Sequence, residues 1–334
     1  LMIAPDSRSA AMGDVGVATS PDANSIHWNP AKLAFIDKDL GVSISYIPWL
    51  RNLVDDINLA YLSGFKRMDD NQVLAASLLY FTLGNITFTN NIGNVIGTFD
   101  PHEFALDFAY ARSFSKVYSM GMSARYIHSN LTGGQDDSQI TKAGNSFAMD
   151  VSAFYNNDIK IGDYDSKIAA GINFSNIGRK IDYTGNNKNF IPINLRLGTG
   201  LTMIIDDYNT LSFAFDMNKL LVPTPPIYET DSITSEQYIL FGKDPNVSVP
   251  VGIFQSFYDA PGVPNSDGSR SILKEELREI TYSFGTEYWY AKQFAIRAGY
   301  FYEHSMKGNR KYLTMGLGLK LNVFGLDFAY LIPT

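Results

Sequence analysis

Ionisable residues recur at alternate positions of otherwise apolar segments: Asp107, Arg125, Asp150, Arg196, Asp216, Glu287, Arg297, Lys320 and Asp327. Such groups could line a charged conduit, grip an ionic substrate or move protons. They could also pair with one another and stiffen a wall, and five acids against four bases favour that second use. His27, beside Trp28, is the other candidate for chemistry, as a catalytic base. The chain has four histidines, and His102, His128 and His304 fall near loops or strand ends. A GxSxG elbow and an HExxH helix are both absent, so nucleophilic and zinc hydrolysis have no motif behind them. His27 is read instead as a hydrogen-bonded packing residue. Asp136-Asp137 and Asn265-Ser266-Asp267-Gly268 lack the spaced oxygens and distal Glu of a calcium loop, and turn chemistry explains them. No catalytic, metal-binding or cofactor-binding residue is assigned, and no enzyme activity is expected.

For alternate charges to share a face, strands must carry them, because side chains alternate across a strand. Large apolar residues fill the opposite register. Phe104, Leu106, Phe108 and Tyr110 alternate with Ala105, Asp107, Ala109 and Ala111; Leu211, Phe213, Phe215 and Met217 alternate with Ser212, Ala214, Asp216 and Asn218. Leu313, Met315, Leu317, Leu319 and Leu321 alternate with Thr314, Gly316, Gly318, Lys320 and Asn322. A tilted strand of about ten residues crosses a bilayer. The pattern therefore predicts an all-β fold, a transmembrane antiparallel β-barrel, with the greasy face to lipid and the small, polar face inward.

Composition fits that reading. No run of about eighteen apolar residues exists for a transmembrane helix, and 20 Tyr with 22 Phe suit interfacial girdles. Twenty-seven Gly suit tight turns and a crowded interior. A net charge of −7 gives no reason to bind nucleic acid. The absence of Cys removes disulfides and thiolate metal sites. Leu1-Met2-Ile3-Ala4-Pro5 has no basic or apolar core of a secretion signal, so the barrel reading expects a signal already removed. A soluble sandwich would also alternate, but the small, charged faces are too polar for a core, and no further apolar segment is left to cover the greasy ones.

Strands are expected near 40–48, 58–66, 72–82, 103–113, 118–128, 146–156, 167–175, 194–204, 209–218, 279–289, 293–302, 311–322 and 325–333, with alternation drifting out of phase in 72–82. Short and long connections alternate, as periplasmic turns and extracellular loops do. The exception is 157–166, long for a turn. About thirteen strands are visible where bacterial barrels have even numbers; the missing one is expected beyond Thr334, in preference to a strand hidden in 83–100 or 246–258. Residues 1–39 read as a compact lead packed against or inside the barrel of 40–334, with Ser20 capping a short helix at Pro21 and a further turn running to Phe35. Ile272, Leu273, Glu275, Glu276, Leu277 and Ile280 have helical spacing inside the longest loop, 219–278. Apolar residues decorate the loops: Leu220, Leu221, Val222, Pro223, Pro225 and Pro226 in one, Phe190 and Ile191 in a second, Trp49 and Leu50 with Leu53 and Val54 in the first. Exposed apolar tips call for a partner or lipid, unless the loops fold over one another as a lid.

Met12-Gly13-Asp14-Val15-Gly16-Val17-Ala18-Thr19, followed by Ser25-Ile26-His27-Trp28-Asn29-Pro30-Ala31, resembles the N-terminal plug of the FadL family, in which an Asn-Pro-Ala element (here Asn29, Pro30 and Ala31) sits in a hatch inside a 14-stranded barrel. Lys32–Phe35, Asp216–Pro225, Glu287–Tyr290 and Phe294–Glu303 extend the likeness, over essentially the whole chain, to the PorV family, the FadL-like outer-membrane component of the type IX secretion system of Bacteroidetes bacteria. It departs at the end, where the family's last loop and closing strand are missing. The resemblance implies no catalysis and no cofactor. It implies that secreted cargo is accepted through its C-terminal signal domain after passing a giant outer-membrane translocon barrel, then passed to a surface sortase, in contact with outer-membrane lipids. On this reading 219–228 and 187–192 contact translocon or cargo. A FadL-type channel for hydrophobic small molecules is the alternative, and an enzyme modifying lipopolysaccharide is the third.

Overall fold

The computed structural model describes residues 2–49, 56–90, 92–131, 142–185, 188–232 and 234–334. Leu50, Leu53, Val54 and the Asp136-Asp137 pair lie outside the described residues.

Thirteen strands form one antiparallel sheet: β1 (Leu40–Pro48), β2 (Asn58–Asp69), β3 (Gln72–Thr82), β4 (His102–Ser113), β5 (Tyr118–Asn130), β6 (Gly144–Ile161), β7 (Tyr164–Gly178), β8 (Asn194–Ile204), β9 (Asn209–Leu220), β10 (Thr281–Tyr290), β11 (Phe294–Tyr302), β12 (Lys311–Leu321) and β13 (Phe324–Pro333). Each pairs with the next in sequence, from β1 to β13, and no pairing joins β1 to β13 among the described residues. The period-2 pattern sets the register. Asp107 lies opposite Arg125 and Glu287 opposite Arg297, inside, while Phe108, Phe147 and Ile296 stand on the exposed outer face. One shift of register would turn the charges to lipid, so the pattern specifies the pairing.

Two sequence expectations change. Strand β3 does not drift: Val73, Ala75, Ser77 and Leu79 point inward and Leu74, Leu78 and Tyr80 outward. The ambiguity arose because both faces are apolar there, the inner one packing on Leu33 and Ile36 of the N-terminal segment. Segment 157–166 is not a long loop either. Strands β6 and β7 run on, pairing Asn157 with Ile168 through to Ile161 with Tyr164, and turn at Gly162, whose φ is +60°.

The N-terminal segment lies within the curve of the sheet, bonding to strands all round it. It contains α1 (Ser7–Ala10), α2 (Ser25–Trp28) and a 3₁₀ turn, Pro30–Phe35. Asp6 caps α1, accepting from Ser9 N at 2.9 Å, and Asn29 caps the 3₁₀ turn, accepting from Ala31 N at 3.0 Å. The first turn of α2 begins after Asn24, not at Ser20 as the sequence suggested, because Asp22 holds Asn24 N and the Ser25 hydroxyl in an Asx turn. Glycines on the inner face let the segment approach. A Cβ on Gly121 would meet Ala31 N at 2.5 Å, and one on Gly299 would meet Met12 C at 2.1 Å.

Candidate functional site

Two ionic clusters pin the inner wall. Arg125 bridges Asp107 at 2.5 Å and Asp150 at 3.1 Å and also donates to Asn176. Arg297 bridges Glu287 and Asp327, each at 2.7 Å, and Arg8 of the segment joins Glu287 at 2.7 Å and Asp22 at 2.9 Å. Asp216 holds the segment differently. Its Oδ2 accepts the backbone N–H groups of Gly16 at 2.7 Å and Val17 at 3.0 Å. Asn29 donates to Val17 O and to Ala153 O on β6, both at 3.1 Å. Burial pushes the Lys32 ammonium down to about 8, and its Nζ donates to Gly16 O at 2.7 Å. Burial likewise pushes the Asp14 carboxyl up to about 6.

His27 is buried edge-on to Trp28, 5.0 Å between ring centroids, and to Tyr61 at 6.2 Å. It packs as expected but without the expected hydrogen bond: Nε2 has no partner among the described residues. Burial, reinforced by Arg196 and Arg125, lowers its pKa well below the ordinary value, so the ring is neutral.

The long connections fold over one another at one end of the barrel. Leu221 is fully buried with Ile191 and Ile193, and Phe190, Val222, Val249 and Ile253 pack against them. Helix α3 (Val249–Gln255) approaches so closely that a Cβ on Gly252 would meet the Phe190 ring at 2.7 Å. Helix α4 (Ile272–Arg278), capped by Ser271, is tied to the barrel by charge. Lys219 meets Glu276 and Glu279, each at 2.8 Å, and Lys307 meets Glu275 at 2.7 Å and Glu279 at 2.9 Å. Burial alone would raise the Glu279 carboxyl, but the hydrogen bonds from Lys219 and Lys307 outweigh it and hold it below the ordinary value. Under this cap lies a cavity of about 250 Å³ between Trp28, the strand ends carrying Asn194, Arg196 and Asn218, and the Val222–Pro225 segment.

The architecture has solved counterparts. The TodX deltaS2S3 mutant monoaromatic hydrocarbon channel matches at a TM-score of 0.53 and 14% identity, over 97% of this chain and 92% of its own. The CymD monoaromatic hydrocarbon channel matches at 0.49 and 13% over 98% and 92%, and a Pseudomonas aeruginosa FadL homologue at 0.47 and 10% over 98% and 90%. At 14% identity the TodX likeness speaks for the fold alone. No curated protein matches the chain. The sequence profile of type IX secretion system protein PorV matches residues 1–227. The chain belongs to the PorV family. It is therefore a β-barrel of the outer membrane and a component of the type IX secretion system, with a fold like that of the TodX channel.

Within that family frame, the inward charges Asp107, Arg125, Asp150, Arg196, Asp216, Glu287 and Arg297 are buried as the alternation required. Lys320 and Asp327 are the exceptions: Asp327 is exposed on the last strand although it pairs with Arg297. Lys320 stands exposed at the turn end of β12, one step beyond the Gly318 position that Arg297 and Asp327 crowd. The loop residues divide. Leu220 and Pro225 are exposed and Trp49, Phe190 and Val222 half-buried, but Ile191, Leu221, Pro223 and Pro226 are buried in the cap, which needs them as its own core. The most exposed apolar residues on the helices of the cap are Phe254 on α3, 71% exposed, and Leu273 on α4, 70%, with Val251 and Leu277 about half exposed. Helical spacing marked α4 in the sequence; nothing there marked α3, which starts at Val249-Pro250, or showed which apolar side chains remain outside.

Proposed function

We propose that this PorV-family barrel receives protein on its loop cap: secreted cargo, carried by a C-terminal signal domain out of the giant translocon barrel, docks there and is passed on to the surface sortase. One observation carries the reading. A cap that buries Leu221 and Ile191 as its own core nonetheless leaves Phe254 and Leu273 projecting from the two helices of the same connection. Protein docking uses apolar anchors of this kind on a rigid support. Residues 1–39 serve as a plug, held by the Asp216, Arg8 and Asn29 bonds described above, so the barrel interior supports the cap and does not conduct. The channel reading fits less well, because the inner wall is ionic and carries the segment across it.

The test is the pair Phe254→Glu and Leu273→Glu in the full chain, expressed in cells that use the system. Both sites are exposed, so the barrel should fold and reach the outer membrane in normal amount. Co-purification of translocon and cargo should fall at least tenfold, and cargo should accumulate unattached. Unchanged co-purification and attachment would sink the docking assignment. Deleting 219–228 is a poorer experiment, since it removes Leu221 and Pro223 from the core of the cap.

A further inference from the structure

A ladder of rings crosses β3 to β6 on the outer face of the barrel, at the end that carries the cap. Tyr80 stacks on His102 at 6.0 Å between centroids, His102 lies 6.0 Å from His128, and His128 stacks on Phe104 at 5.1 Å. Phe104 then meets Tyr126 at 6.0 Å, and Tyr126 meets Phe147 at 5.2 Å. Aromatic belts mark the level of the lipid headgroups. At the short-turn rim the belt is plain, with Tyr208 stacked on Tyr290 and no histidine in it. The belt at the cap end instead has two imidazoles at its centre. They are the two outward-facing histidines of the chain, since His27 lies in the N-terminal segment and His304 beyond β11.

Hydrogen bonds fix which ring atoms are free. His102 Nδ1 lies 3.0 Å from Asp100 O, and His128 Nδ1 lies 2.9 Å from Asn145 Oδ1, which also accepts the Tyr126 hydroxyl at 2.6 Å. Both partners are acceptors, so each Nδ1 donates and each Nε2 is left for something outside the protein. Arg179 adds a charge next to them. Its N–H donates to Phe147 O at 3.0 Å, so alternation puts its side chain on the outer face beside Phe147. It enters no ion pair among the described residues. Among those residues no Asp or Glu stands on the outer face of β3 to β7, in a chain of net charge −7. A guanidinium and two imidazole edges thus face the headgroup layer with no carboxylate to answer them.

We propose that this stretch of the rim is a binding site for the phosphate of an outer-leaflet lipid headgroup. Arginine grips phosphate oxygens in two-pronged fashion. An imidazole Nε2 bonds a phosphate oxygen whichever of the two carries the shared proton. The occupant has to be a lipid, because the same face continues below the rings into exposed Leu78, Phe108 and Met149. A soluble phosphate would leave that apolar wall uncovered, whereas a lipid lays its acyl chains along it while its headgroup meets Arg179, His102 and His128. The site lies on the wall of the barrel and not on the loop cap, so it is independent of cargo docking.

The experiment is native mass spectrometry of the full chain in detergent micelles, with synthetic hexa-acyl lipid A carrying both phosphates and the same lipid carrying none. The unaltered chain should retain one copy of the phosphorylated lipid, at least fivefold more than of the phosphate-free one. That comparison needs no variant, so it stands even if a substitution disturbs the barrel. Replacing both histidines, His102→Phe with His128→Phe, keeps the rings and removes the Nε2 atoms. That pair, or Arg179→Gln alone, should bring retention of the phosphorylated lipid down to the phosphate-free level. Equal retention of the two lipids by the unaltered chain overturns the proposal, leaving a plain aromatic belt. A phosphate preference that survives both variants overturns it too, by placing the headgroup elsewhere. Loss of the bound lipid in millimolar inorganic phosphate also overturns it, by reassigning the site to the free ion. Phe254→Glu should leave lipid retention unchanged, which separates a failure here from a failure of cap docking.

Discussion

At the scale of single residues, the inner wall works by absence as much as by charge. Gly299 on β11 faces inward, and a Cβ there would meet the main chain of the N-terminal segment at Met12 C, 2.1 Å, and Gly13 N, 2.2 Å. Backbone on both sides leaves no flexible side chain to give way. Gly299→Val should therefore push the segment off the wall and destabilise the barrel by about 3 kcal/mol, the upper range for overpacking. The temperature at which the folded band disappears on a semi-native gel should fall accordingly, and protease should reach residues 7–20. An unchanged melting temperature with a protected segment would show that the approach is looser than described. Alternation in the sequence placed Gly299 on the inner face, but the partner at its door could not be read there, because Met12 is nearly 290 positions away in the chain and no local pattern joins them. The same distance hid the solitary state of Arg196. Counting acids and bases suggested a paired wall, while the actual pairing uses Arg8 from the segment on Glu287 and leaves Arg196 over Trp28.

Elements were legible to the extent that one physical signal dominated them. Strands declare themselves because lipid outside and a polar interior enforce a strict period of two. Strand β3 blurred that signal because its inner face meets apolar Leu33 and Ile36, and β6 and β7 outran expectation because Gly162 lets them turn in two residues. The loop cap obeys no period, so its burial follows from tertiary packing alone. Its attachment makes a pH prediction. Glu279 lies at the hub, between Lys219 and Lys307. Its folded-state pKa is below the ordinary 4.5, so the stability it contributes is present above that pH and is lost as pH falls through the depressed value. Lys307 loses something to burial, but hydrogen bonds to Glu275 and Glu279 raise its pKa above 10.5, so the cation persists through neutral pH and fades only in strong alkali. Amide exchange across 272–280 should thus be slow and flat from about pH 5 to 9, after correction for intrinsic rates, and should accelerate below pH 4. In Glu279→Gln it should already be fast at pH 7. A wild-type cap equally protected at pH 3.5 would show that apolar packing of Leu221, and not the ionic hub, holds it.

The whole molecule is asymmetric along the barrel axis. One rim carries two- to four-residue turns such as 114–117 and 291–293, and the other carries the cap built from 221–280. In outer-membrane barrels long connections face outward and short turns the periplasm, which puts Phe254 and Leu273 where partners on the cell surface reach them and puts the Arg196 cavity just beneath. That orientation can be checked cleanly because the chain contains no cysteine, so a single introduced thiol reports only its own position. Phe254→Cys, on the exposed face of α3, should react with a membrane-impermeant maleimide in intact cells. Lys292→Cys, exposed at the β10–β11 turn, should react only after the outer membrane is opened. The reverse pattern would place the cap in the periplasm and remove the physical basis for surface docking. Equal labelling of both sites in intact cells would mean instead that the barrel admits the reagent, contrary to the plug role proposed for residues 1–39. The same two thiols therefore test the direction of the barrel and the proposed plug together.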